Sequence, residues 1–257
     1  MEEKDMETNY TKHAAVWDWD GYNRSEEFDC WCKMSDRYGN NILSAMGALG
    51  QAGAHMANKG YKVTVIDNTK EMIDEGRKRY GSLELLSFLY EDICNFDLEK
   101  KDYDFCFIGT GDLHLLKDIS AIKKALEKIN MHLRLGGGLG LELWPASDSS
   151  WSSPRRKFEP RVPRTDYPHI WKEGETTYDS VTKKNNIFQT VYVDNGSTVE
   201  SFEYSVCLQL YDRDVLLNVF YESGFEIVGE YCNYNFEKWD EGRSPWIVEF
   251  KKVKDSF

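Results

Sequence analysis

Between Asn41 and Trp144 short apolar runs alternate with stretches of helical spacing, and this alternation constrains the fold more than any other feature of the chain. Asn41-Ile-Leu43 leads into SAMGALGQAG (residues 44–53), Gln51 to Lys59 is helical and stops at Gly60, and Tyr61 to Ile66 is β-branched and strand-like. Asn68-Thr69 caps a helix through Arg79, Leu85 to Phe88 reads as a strand, and Tyr103 to Ile108 reads as a buried one. Ile122, Ala125, Leu126, Ile129 and Leu133 recur at helical spacing, and Gly136-Gly-Gly138 turns the chain into an apolar strand from Leu139 to Trp144. Strand–helix alternation of this kind predicts a mainly parallel sheet with helices on both faces.

After Trp144 the pattern changes. Residues 145 to 168 hold five of the six prolines, together with many serines and arginines, and predict a long excursion. Three extended segments follow, Thr176 to Val181, Ile187 to Val193 and Val199 to Leu210, with Asp194-Asn-Gly196 as a hairpin turn between the last two. A helix from Asp212 to Ser223 stops at Gly224, and Phe225 to Cys232 and Trp246 to Val253 close as strands. The segments expected are an N-terminal lid over 1–40, an α/β core over 41–144, an antiparallel insertion over 145–210 and closing elements over 211–257. With 257 residues and 41% hydrophobic content, one folded unit is expected.

A net charge of -12 disfavours phosphate backbones and anionic membrane surfaces as partners. Apolar runs fall far short of a bilayer span, and the acidic start MEEKDMETNY is unlike a signal peptide, so a cytoplasmic protein is expected. The six cysteines lack paired C-x2-C spacing, and Cys30-Trp-Cys32 is a pattern that tetrahedral sites seldom use alone. Reduced structural thiols and no metal are therefore expected.

In an open parallel sheet, ligands bind at the carboxyl ends of the strands, where glycine lets the backbone approach them. Gly47, Gly50 and Gly53 follow the first strand at a spacing of three, which supports either such a loop or plain packing. Asp67 ends the next strand, where a carboxylate can accept both hydroxyls of a ribose, and Asp92 follows the third, where it can accept from an adenine amino group. The loop lacks G-x-G-x-x-G and shows no phosphate cradle, which disfavours a nicotinamide oxidoreductase.

At this point the sequence resembles the class I S-adenosylmethionine-dependent methyltransferases of small-molecule type. Gly60 to Met72 resembles the family's second strand and following helix, and Tyr90-Glu-Asp-Ile-Cys-Asn-Phe96 its adenine segment. Tyr103 to His114 resembles the fourth strand and its acceptor-facing loop, and Leu133-Arg-Leu-Gly-Gly-Gly138 the turn before the fifth strand. Two departures lie in the opening loop, where Ser44 stands in place of an acid and Gly47-Ala-Leu-Gly50 in place of a tight glycine-x-glycine pair.

The resemblance implies a Rossmann-like seven-stranded, mainly parallel sheet with an antiparallel β insertion after the fifth strand. It also implies S-adenosyl-L-methionine as cofactor, held by Trp19, Arg24, Gly47, Gly50, Asp67, Asn68, Met72, Asp92, Ile93, Ile108 and Gly109. Trp19, Tyr22 or Trp31 facing the sulfonium or a cationic amine is one reading of the N-terminal aromatics; core or lid packing is the other. The loop after the fourth strand offers Asp112 and His114 as catalytic residues for a nitrogen or oxygen acceptor, with a packed structural histidine as the rival reading of His114. Arg155 to Arg164, with five cations, either reads an anionic small-molecule acceptor or is a solvated or subunit-contacting loop, and an oligomer is compatible with it. No nucleic-acid or membrane partner is expected. A non-catalytic module that keeps the fold is the alternative function.

Overall fold

The computed structural model describes residues 10–17, 24–147, 169–240 and 243–256. Its elements in chain order are α1 (Tyr10–Ala15), α2 (Ser25–Ser35), β1 (Asn41–Ala45), α3 (Gln51–Asn58), β2 (Lys62–Asp67), α4 (Lys70–Tyr80), β3 (Leu86–Tyr90) and β4 (Tyr103–Ile108). A short 3-10 turn at Asp112–Leu115 precedes α5 (Ile119–His132) and β5 (Leu133–Leu143). Then come β6 (His169–Asp179), β7 (Lys184–Asp194), β8 (Val199–Gln209), α6 (Arg213–Glu222), β9 (Phe225–Tyr231) and β10 (Trp246–Lys252).

These elements divide into two compact units, where length alone suggested one. The larger comprises residues 24–148 and 209–257, so the boundary falls inside the expected 1–40 segment and α2 folds with the α/β core. The smaller comprises residues 1–23 and 149–208 and holds the sheet β6-β7-β8. In that sheet β6 pairs antiparallel with β7 from His169↔Asp194 to Asp179↔Lys184, and β8 lies on the other side of β7. At the expected hairpin, Asn195 N–H donates to Thr198 O and Gly196 N–H to Asp194 Oδ1.

In the larger unit seven strands run in the order β3-β2-β1-β4-β5-β10-β9. The first five are parallel, while β10 is antiparallel to both β5 and β9. Period-two alternation along the strands fills both faces. Cys106 and Ile108 of β4 join Leu139, Leu141 and Leu143 under α5 and α6, whereas Phe105 and Phe107 join Ile42, Val63 and Val65 under α2 and α3. Each fully buried Leu, Ile or Phe contributes about 1.5–3 kcal/mol relative to exposure. A one-residue slip of β4 would move all four β4 side chains to the wrong face.

The glycine triplet differs from the turn expected of it. β5 already begins at Leu133, and its register against β4 jumps from Tyr103↔Leu133 to Phe105↔Gly138, so residues 134–137 bulge from the strand. Gly136, at φ 77, supplies the left-handed backbone that the bulge requires.

β1 leads back to β2 on one side and lies beside β4 on the other, so the order of strands reverses between β1 and β4. The loops leaving the carboxyl ends of β1, β2, β4 and β5 therefore gather at the crevice where open α/β sheets take ligands.

Candidate active site

Backbone strain marks these loop ends. Met46 (φ 53) and Ala48 (φ 47) after β1, and Thr110 (φ 51) after β4, are non-glycine residues in the left-handed region. Such residues each cost about 1–2 kcal/mol and persist where the surroundings over-determine them, most often at functional sites. The glycines around them serve packing. A Cβ on Gly47 would lie 2.7 Å from Ser44 Oγ and from Val65, and one on Gly50, at φ 74, would lie 2.5 Å from the Phe88 ring. Gly50 is also the N-cap of α3.

Asp67 ties the β1 and β2 ends together. Its Oδ2 accepts from Ala48 N–H at 2.9 Å and its Oδ1 from Thr69 N–H at 2.8 Å. A carboxylate offers about four lone-pair sites, so acceptor capacity remains beyond these bonds and that of the Thr69 side chain. Burial pushes its pKa upward, against the pull of those two backbone donors. Asn68 is exposed beside it, while Met72 is buried in the first turn of α4. Asp92 is exposed and shapes its own turn, Oδ1 accepting from Cys94 N–H and Oδ2 from the Asn95 amide; Ile93 is buried next to it.

At the ends of β4 and β5 three carboxylates come within one electrostatic neighbourhood: Glu27 from α2, Asp112 from the 3-10 turn and Glu142 from β5. Glu142 is held by three donors, Tyr234 Oη at 2.7 Å, Trp144 Nε1 at 3.1 Å and Thr110 N–H at 3.2 Å. Asp112 Oδ2 accepts from Thr110 Oγ1 at 2.9 Å. Burial, opposed by Arg24 and reinforced by Glu142, pushes Glu27 up to about 7. Asp112 is likewise pushed up to about 7, first by loss of solvent around its carboxyl and further by Asp67 and Glu142. Asp112 as a residue is only half-buried, but its carboxyl is enclosed. Arg24 is the cation nearest Glu27, with Nε 4.0 Å from Oε2. Gly109 permits the close approach, since a Cβ there would sit 2.9 Å from Glu27 Oε1, and Ile108 before it is core.

The geometry gives His114 a structural position. Its ring is buried with Nδ1 donating to Gln209 O at 3.0 Å and Nε2 accepting from Trp144 N–H at 2.9 Å. Burial lowers its pKa to about 4, so the ring is neutral, and neither nitrogen is free to take a proton. Trp31 is fully buried and stacked on Phe107 at 5.5 Å, in agreement with the packing reading. Trp19, Tyr22 and Arg155 to Arg164 lie outside the described residues.

Glu27, Glu142 and Tyr234 were not anticipated from the sequence. A signal for Glu142 existed in Leu139-Gly-Leu-Glu-Leu143, where one acid interrupts a strand otherwise built for burial.

Residues 42–137 match the family model described as a methyltransferase domain. These residues carry a methyltransferase domain. Solved methyltransferases share the fold along nearly their whole length. An S-adenosylmethionine-dependent methyltransferase from Clostridium acetobutylicum aligns at TM-score 0.80 and 15% identity over 95% of this chain and 99% of its own. The CcbJ methyltransferase from Streptomyces caelestis aligns at 0.78 and 14%, over 96% and 99%. The sugar N-methyltransferase KedS8 from a Streptoalloteichus species aligns at 0.75 and 13%, over 99% and 97%. No curated protein matches the chain.

The methyltransferase domain's cofactor is S-adenosylmethionine, and the donor set here fits it. Asp67 stands at the end of β2, where a carboxylate can accept vicinal hydroxyls. Glu27, Asp112 and Glu142, with Arg24 acting on the first two, leave the β4–β5 end with more acidic than basic groups, which suits a permanently cationic sulfur. Among the described residues no helix is long and apolar enough to cross a membrane.

Proposed function

We propose that the protein methylates an amine of a small molecule, using S-adenosylmethionine as the methyl donor. The observation that carries this reading is the carboxylate ring of Glu27, Asp112 and Glu142. A cationic or protonatable amine offsets its charge, whereas a neutral hydroxyl leaves it uncompensated. The likeness to a solved sugar N-methyltransferase supports the same acceptor class.

When bound, the cofactor supplies an electrophilic methyl group on a sulfonium. Asp67 accepts the ribose hydroxyls with the lone pairs that Ala48 and Thr69 leave free. Arg24, on the edge of the ring, is the residue for a carboxylate of the donor. Glu142, fixed by Tyr234, Trp144 and Thr110, holds the amine in line through a charge-assisted hydrogen bond. An ammonium must lose a proton before its nitrogen can attack. Asp112, at about 7, is poised to take that proton near neutral pH.

The test is a panel of matched small amines and alcohols, amino sugars among them, incubated with the protein and labelled S-adenosylmethionine. Products read by mass should show one added methyl on amines. Transfer confined to the alcohols would contradict the reading.

A further inference from the structure

A second cluster of ligating side chains lies away from the carboxylate ring, at the contact of α2 with α3. Asp29 and Cys32 stand three apart on α2 and so share one helix face, and His55 faces them from α3. One donor atom from each of the three lies within 4.8 Å of the others, and a His55 ring nitrogen is 2.8 Å from Asp29 Oδ1. Lys59, also beside α3, binds the same Asp29 oxygen. Cys32 is buried, while Asp29 and His55 keep partial solvent access, so an ion has a route in.

We infer that Asp29, Cys32 and His55 form a site for a thiophilic divalent cation such as Zn²⁺, which clips α2 to α3. Sulfur, imidazole and carboxylate are the donor types that zinc takes, at about 2.3, 2.0–2.1 and 2.0–2.2 Å. Tetrahedral donors at such radii are about 3.3–3.7 Å apart. The nitrogen–oxygen pair at 2.8 Å must therefore open by about 0.5 Å and a pair at the 4.8 Å limit close by about 1.1–1.5 Å, shifts that side-chain rotation supplies. Three protein donors leave a fourth position for water.

On binding, the Cys32 S–H bond breaks, a sulfur–metal bond forms and that proton passes to solvent, while the proton between His55 Nε2 and Asp29 Oδ1 gives way to the metal and the neutral ring keeps its proton on Nδ1. Lys59 gives up Asp29 to the ion. Because the ligand is the thiolate, the metal competes with the Cys32 proton and binds more tightly as pH rises. The ion would brace the domain where it matters. α3 begins at Gly50 of the strained loop, and Glu27 lies two residues before Asp29 on α2, on the opposite side of the helix.

Co²⁺ and Zn²⁺ titrations of the whole chain test the inference without reference to catalysis. Co²⁺ should give a thiolate charge-transfer band, which Cys32→Ser abolishes and Cys30→Ser leaves intact. Loss of an outer hydrogen-bond partner of a ligand costs 10–100-fold in metal affinity, so loss of the ligand in Cys32→Ser should weaken Zn²⁺ binding by at least about tenfold. Lys59→Met removes the competing ammonium and should tighten it. A Co²⁺ spectrum without the thiolate band, or equal Zn²⁺ affinity in the unaltered protein and Cys32→Ser, overturns the inference.

Discussion

Tyr234 donates its phenolic hydroxyl to Glu142 Oε2 at 2.7 Å, joining the loop after β9 to the carboxyl end of β5. The bond reaches across 92 residues of chain and fixes a carboxylate that would otherwise swing within the acidic ring. A hydrogen bond to a charged group contributes about 1.5–3 kcal/mol, or roughly 10–100-fold in an equilibrium. Tyr234→Phe should therefore lower kcat/KM for the amine by about tenfold or more while leaving S-adenosylmethionine affinity within a factor of about three. Steady-state kinetics beside calorimetry checks the split.

The acidic ring gives binding a pH dependence. Glu27 and Asp112 stand at about 7 in the folded chain against 4.5 and 3.8 ordinarily, raised chiefly by burial. Their contribution to stability is thus fully present below about pH 4 and is lost as pH rises through about 7, where the folded carboxyls ionise. A cationic ligand favours the ionised forms, so its binding releases protons and tightens as pH rises from 6 to 8. Calorimetry in buffers of different ionisation enthalpy should show that release, and an affinity flat over this range would contradict it.

His114 bolts the loop after β4 to two backbone groups. Removing the ring deletes its hydrogen bonds to the Gln209 carbonyl and the Trp144 N–H, at about 0.5–1.5 kcal/mol each. The His114→Phe variant should accordingly melt at a lower temperature, while the folded fraction keeps turnover within about tenfold. Unchanged melting with a loss of 10²-fold or more would restore the general-base role for this histidine.

Ala48 carries its strain in the loop after β1. Ala48→Gly relieves the left-handed penalty at φ 47 but gives the unfolded chain more freedom, so a net stabilisation of about 0.5–1 kcal/mol is expected from denaturant unfolding. A destabilised variant would mean that the methyl group packs more favourably than its backbone is strained.

The alternation of Tyr103-Asp-Phe-Cys-Phe-Ile108 and the helical spacing of Ile122 to Ile129 made the α/β core legible, because burial on two faces writes itself into period and composition. The bulge at residues 134–137 was not legible, since glycines announce freedom without saying whether a turn or a bulge uses it. The insertion was legible in its three extended segments and the Asp194-Asn-Gly196 turn, whereas the grouping of residues 1–23 with it was not, because no local pattern reports a contact so distant in sequence. Asp67 and Asp112 could be found because they end strands or follow them. Glu27 and Tyr234 could not, because they reach the site from α2 and from the loop after β9 only once the chain has folded.

The most direct measurement is calorimetric titration of the unaltered protein and of Asp67→Asn with S-adenosylmethionine and S-adenosylhomocysteine, with melting curves to show that both proteins are folded. The account predicts saturable one-site binding by the unaltered protein, weakened by about 10–100-fold in Asp67→Asn as a charged acceptor becomes a neutral amide. No binding by the unaltered, folded protein at millimolar ligand would contradict it.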